Sequence, residues 1–134
     1  MFNNRIFPAA VITLALAFLS PTARTQPAAG VKRTDLQRHD LSIPGHEAIQ
    51  VRVDFGPGVI APSHKHPGEE IIYVLEGLLE YQLEGKPPVT LKAGDVLFVP
   101  ARVFHSAKNA GKTNAAELAT YVVEKGKPLV VPAR

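Results

Sequence analysis

The chain has 134 residues, is 46% hydrophobic and 20% charged, and carries a formal net charge of +3, which suits one globular domain of ordinary composition. It has no cysteine, which excludes disulfides, thiolate catalysis and cysteine-ligated zinc or iron–sulfur centres; any metal must be held by nitrogen and oxygen. The basic residues are scattered, with no Lys/Arg run and no basic face interleaved with aromatics, so no nucleic-acid partner is expected.

In chain order, the first feature is an address rather than a fold element. Residues 1–7 carry one basic side chain, Arg5, and no acid; residues 8–19 are apolar apart from Thr13; small residues follow, ending at Ala23. That is the layout of a secretory signal, with an apolar run too short to span a bilayer comfortably. The reading divides the chain into a signal peptide (1–23), a flexible linker with an N-terminal strand (24–42) and a β-barrel domain (43–134). It predicts export, to the periplasm or outside the cell, and no membrane association once the signal is removed.

The remainder reads as short strands at residues 46–55, 70–75, 78–83, 89–91, 96–99, 103–107 and 117–124. Each is rich in Val, Ile, Leu, Tyr or Phe, and Gly, Pro, Asn or Asp punctuate the gaps. Many short strands with frequent turn signals predict an all-β sandwich or barrel. Side chains alternate between the two faces of a strand. Glu70 therefore shares a face with Ile72 and Val74, and His105 shares one with Val103 and Ala107.

Three of the five histidines fall where a metal would need them. His64 and His66 are two apart, so both imidazoles leave an extended segment on the same side. Glu70 follows a Pro67-Gly68 bend that can swing its carboxylate toward the same point, and a barrel can bring His105 opposite. Three neutral imidazoles and one carboxylate suit a divalent Fe, Mn, Ni, Co, Cu or Zn ion. Four protein ligands on a six-coordinate ion leave two positions open for water, dioxygen or a chelating substrate.

The spacing of these residues resembles the cupin superfamily. Gly58, His64, His66, Glu70 and Gly77 match its first motif, and Gly94, Pro100, His105 and Asn109 match the second. The resemblance implies a cupin-type double-stranded β-helix, a jelly-roll-like barrel. It also implies one metal ion (Fe, Mn, Ni, Cu or Zn) on His64, His66, Glu70 and His105, and a homodimer formed through the strand at 46–55. One position departs from the pattern: Arg102 stands where the second motif usually has glycine, which puts the permissive turn there in doubt.

Strand parity predicts a mostly apolar pocket of Ile72, Val74, Leu79, Tyr81, Phe98, Val103 and Ala107 around the metal. Around Phe98 parity does not decide between that residue and its neighbours Leu97 and Val99. Tyr81 is expected as core rather than as a proton donor, Glu117 and Tyr121 as a half-buried strand pair, and Asn109 as a strand-end residue. Glu69 and Lys65 should point away from the ligands, and His39 and His46 should lie on the surface. A small-molecule ligand or substrate is expected. The leading functional expectation is a metal-dependent enzyme acting on a small oxygenated molecule in the manner of a dioxygenase. The alternatives are a non-redox lyase, isomerase or decarboxylase, and a binding or sensing module without turnover.

Overall fold

The computed structural model describes residues 30–134. The expected signal peptide lies outside the described residues. The described part of the segment expected as linker and strand is almost entirely strand. The strands are β1 (Val31–Asp40), β2 (His46–Phe55), β3 (Ile60–Lys65), β4 (Glu69–Glu76), β5 (Leu78–Leu83), β6 (Val89–Lys92), β7 (Val96–Val99), β8 (His105–Asn109), β9 (Ala115–Glu124) and β10 (Val131–Pro132). No helix occurs among the described residues.

The strands form two five-stranded sheets, ordered β1-β2-β9-β4-β7 and β10-β3-β8-β5-β6, and all pairings are antiparallel. Neighbours in space are mostly distant in sequence, as a double-stranded β-helix requires. Alternation decides which faces meet. In β2 the residues Ile49, Val51, Val53 and Phe55 turn inward, and in β5 Leu79, Tyr81 and Leu83 do the same. They pack with Ile72, Val74, Leu91, Val99, Ala107, Ala119 and Val123 into one core between the sheets. Burying these side chains rather than leaving them in water stabilises the fold by roughly 1.5–3 kcal/mol for each large aliphatic residue.

Most of the expected strands recur, with boundaries shifted by one or two residues. Strand β8 starts at His105 rather than at residue 103, because the preceding residues form the turn that carries Arg102. Strands β3 and β10 were not in the expected set. Strand β2 lies between β1 and β9 and so has no free edge; a homodimer could not be made by edge pairing there.

Two glycines are required by the path of the chain. Gly77 joins β4 to β5 at φ 75°, and an added Cβ would lie 2.6 Å from the Ala115 methyl. Gly68 lies where the chain enters β4, and an added Cβ there would collide with the Val122 carbonyl oxygen on β9. This close approach lets the short stretch between His66 and Glu70 pack flat against the sheet.

Candidate metal centre

The two sheets place the four expected ligands at one point. His64 on β3 is the register partner of His105 on β8, so their side chains leave the same face of one sheet. Glu70 is the second residue of β4 in the other sheet, paired with Val99 and Tyr121. His66 lies in the loop that crosses between the sheets. The three imidazole centroids are 4.4 to 5.2 Å apart, and one ring nitrogen from each falls within 4.8 Å of the others. His66, Glu70 and His105 are buried, and His64 is at the rim.

Hydrogen bonds set the orientation of all three rings. The Nδ1 atoms face backbone carbonyls: His64 that of Pro62 at 2.7 Å, His66 that of Leu129 at 2.6 Å and His105 that of Val103 at 3.2 Å. A carbonyl only accepts, so each Nδ1 carries the proton and each Nε2 presents a lone pair to the centre. Burial pushes the His64 imidazole down to about 4, so it is neutral at pH 7.

The Glu70 carboxylate completes the set. Its Oε2 lies 3.0 Å from His105 Nε2 and 3.3 Å from His66 Nε2, yet Oε2 and His66 Nε2 have no hydrogen-bond partner of proper geometry. Burial would raise this carboxyl, but the His105 and His66 side chains hold it below the usual carboxylate range. With Nδ1 protonated, a neutral His66 or His105 has no proton at Nε2 to give to Oε2, so acceptors face one another at the centre. Unpartnered buried acceptors are costly, and a divalent ion would satisfy all of them at once. The residues therefore fit a metal. Imidazoles oriented through a second-ring-nitrogen bond to a carbonyl are the usual support for such ligands.

Glu69 is half-buried and points away from Glu70's face, Lys65 lies over the Phe104 ring at 4.6 Å, and Tyr73 is exposed on the outer face. His39 is exposed and His46 half-buried. Arg102 keeps the turn expected of glycine: its φ is 65°, alone among the described non-glycine residues in being positive, and its N–H donates to the His66 carbonyl at 3.0 Å. Asn109 is a strand-end brace. Its amide donates to the carbonyls of Phe55, Gly56 and Thr113, and its oxygen accepts from Gly111 N–H.

The lining differs from expectation in two ways. Ile72, Val74, Leu79, Tyr81 and Ala107 are buried and Val103 packs against them, but Phe98 is 55% exposed. Val99 is buried and Leu97 half-buried, so β7 turns those two inward and Phe98 outward. The interior is also less apolar than expected. Glu117 and Tyr121, expected half-exposed, are buried at 4% and 1%. The Tyr81 hydroxyl donates to the Glu117 carboxyl. The Tyr121 ring lies 4.7 Å from that of His66, and Arg33 donates to the Tyr121 hydroxyl at 3.2 Å. Burial, reinforced by the Glu70 charge, pushes the Glu117 carboxyl well above the usual carboxylate range and raises the Tyr121 phenol. Arg33 was not singled out from the sequence. Its shared parity with Val31 is the one signal the sequence offers; in the structure both are half-buried between exposed neighbours.

Known proteins share this architecture. The chain is 38% identical over 90 residues to germin-like protein subfamily 2 member 2 of Arabidopsis thaliana, a match covering 59% of this chain and 40% of that protein. It spans about 40% of the length of the germin-like relatives it matches. Among solved structures, oxalate oxidase in complex with glycolate superposes with a TM-score of 0.64 at 27% identity, covering 81% of this chain and 57% of that one. Dimethylsulfoniopropionate lyase DddQ from Ruegeria pomeroyi superposes with a TM-score of 0.58 at 28% identity, covering 64% and 43%. The cupin domain family matches residues 51–131, the stretch that holds His64, His66, Glu70 and His105, and the chain belongs to that family.

Proposed function

We propose that this protein is an exported, metal-dependent enzyme that acts on a small oxygenated molecule by proton transfer, in the manner of a lyase, isomerase or decarboxylase. The observation that carries the proposal is the convergence of three Nε2 lone pairs and the Glu70 carboxylate, with the buried Glu117 carboxyl on the inward row of β9 in the same interior. A divalent ion held by His64, His66, Glu70 and His105 would act as a Lewis acid on a chelating substrate oxygen. The chain's own contribution is the Tyr81–Glu117 pair. Burial, with the Glu70 charge, raises the Glu117 carboxyl well above the usual carboxylate range, and Tyr81 holds it in place. A carboxyl raised in this way is a better proton donor near neutral pH than an ordinary glutamate.

The apolar part of the lining, Ile72, Val74, Leu79, Val103 and Ala107, excludes water from the reacting centre. The likeness to dimethylsulfoniopropionate lyase DddQ agrees with this class of reaction. Oxidation by dioxygen is the second reading, favoured by the likeness to oxalate oxidase. Export rests on the signal-like pattern of residues 1–23. A homodimer also belongs to this reading, and the apolar outer face formed by Ile71, Tyr73, Val96 and Phe98 is surface that such a contact would cover.

Turnover measured with and without oxygen tests the assignment. Protein purified without chelator is loaded separately with iron, manganese, nickel, copper and zinc, then offered small hydroxy- and oxo-acids, β-substituted acids and diketones. Product formation under anaerobic conditions, lost in the His64→Ala/His105→Ala variant, is the expected result. Product that appears only with dioxygen consumption moves the protein to the second reading. Tight ligand retention with no product under either condition would make it a binding module.

A further inference from the structure

The interior holds a charged group that the proposed chemistry does not use. Arg33 enters from β1, which is otherwise exposed beyond that point. It pairs in register with Val53, and Val53 pairs with Glu117, so its side chain lies on the inward row of the sheet. There it reaches past β2 to the Tyr121 hydroxyl on β9, with its Cζ 5.6 Å from the centre of the Tyr121 ring. The other side of that ring's neighbourhood is His66, 4.7 Å away centre to centre. One phenol thus separates the guanidinium from the metal-facing imidazoles.

Among the described residues Arg33 makes no ion pair. Its one hydrogen bond is to a neutral phenol. A guanidinium has five N–H donors in a planar fork; in this half-buried side chain the Tyr121 hydroxyl takes one of them, leaving the rest for water or an anion. Arg38, farther along β1, lies exposed and pairs with Glu47 at 3.2 Å. Charge points the same way. Glu70 and Glu117 both face Arg33, and even with both ionised a divalent ion and the guanidinium leave this interior positive and favourable to an anion.

We propose that Arg33 is a substrate-binding residue that selects a small carboxylate, pairing its fork with one carboxylate of a ligand whose other end lies at the His64–His66–His105 cluster. The proposal rests on the metal-dependent reading above and names its substrate class. A flat carboxylate matches the fork with two parallel bonds, and the Tyr121 hydroxyl beside it can supply a third. The tetrahedral, more highly charged phosphate would need more cationic partners than this one arginine provides.

Calorimetric titration of the metal-loaded and metal-free protein tests this, with succinate, inorganic phosphate and acetohydroxamic acid, a chelator that lacks a carboxylate. The variants are Arg33→Gln and Arg33→Lys, with metal content measured on each. Succinate should bind the parent more tightly than phosphate does. Arg33→Gln should weaken succinate about tenfold or more, Arg33→Lys should fall between, and both should leave metal content and acetohydroxamic acid affinity unchanged. Unchanged succinate affinity in either variant, an equal loss for acetohydroxamic acid, or tighter phosphate binding overturns the assignment. If Arg33→Gln does not fold, Arg33→Lys decides, because it keeps the charge and removes the fork. Absence of stoichiometric metal in the parent would instead defeat the metal-dependent reading, and Arg33-dependent binding of succinate to the metal-free protein separates that failure from this one.

Discussion

The hydroxyl of Tyr81 on β5 donates to the carboxyl of Glu117 on β9, so a single hydrogen bond ties one sheet of the barrel to the other through its interior. Both residues are buried, at 1% and 4% exposure. Burial and the Glu70 charge raise the Glu117 carboxyl well above the usual carboxylate range, which makes this bond pH-dependent in a direction that can be worked out.

A carboxyl whose folded value lies above its unfolded value stabilises the fold fully below the unfolded value. It loses that contribution as pH rises through the folded one, because the unfolded chain gives up its proton first. Stability should therefore decline above about pH 4.5, the ordinary value for a glutamate, as pH rises toward the elevated value of Glu117. Glu117→Gln keeps an acceptor for Tyr81 and removes the ionisation. Thermal melts from pH 5 to 9 should show the variant gaining on the parent as pH rises; parallel curves would contradict a protonated Glu117.

Metal should stabilise the fold only when the cluster is intact. An ion at about one hundred times its dissociation constant adds about 2.7 kcal/mol to a site present only in the folded chain. Melting the parent with and without added metal should show that increase, and His64→Ala/His105→Ala should not. Elemental analysis should give near one equivalent in the parent and none in the variant. An equal upward shift in both proteins would place the ion elsewhere.

Arg102 holds a φ of 65° beside the His66 carbonyl, a conformation that costs a side-chain-bearing residue about 1 kcal/mol or more. Arg102→Gly relieves it, partly offset by the greater freedom glycine has when unfolded. A net gain of about 0.5–1 kcal/mol in urea unfolding is expected, with Arg102→Ala within about 0.5 kcal/mol of the parent. A destabilised glycine variant would mean that the arginine side chain makes a contact worth more than the strain.

Gly68 carries the opposite expectation. A methyl group there collides with the Val122 carbonyl oxygen, and the backbone between His66 and Glu70 must move to admit it. Gly68→Ala should cost about 2–3 kcal/mol and lower metal affinity together with stability. A variant that keeps full metal content at parental stability would show that this segment repacks freely.

Much of the centre is legible in the sequence because its determinants are local. The two-residue spacing of His64 and His66 and the parity of Glu70 with Ile72 and of His105 with Ala107 need only the alternation of an extended chain, and the motif spacing pointed to the cupin fold. Parity failed at β7, where Val96, Leu97, Phe98 and Val99 are all apolar and no polar residue marks the outer face. The exposure of Phe98 and burial of Val99 follow from pairing with Ile71 and Glu70 on β4.

What the sequence by itself determined, then, is the strand content, the family pattern and the ligand types, since hydrophobic alternation and residue spacing are properties of a few neighbouring residues. Only the tertiary structure decided that the interior is polar as well as apolar. Arg33, Glu117 and Tyr121 carry groups that prefer water; strand parity marked Glu117 and Tyr121 as half-buried only, and did not mark Arg33 as turned inward. Their burial comes from the register that aligns β1, β2 and β9, where Tyr81 and Tyr121 supply the hydrogen bonds that make it tolerable.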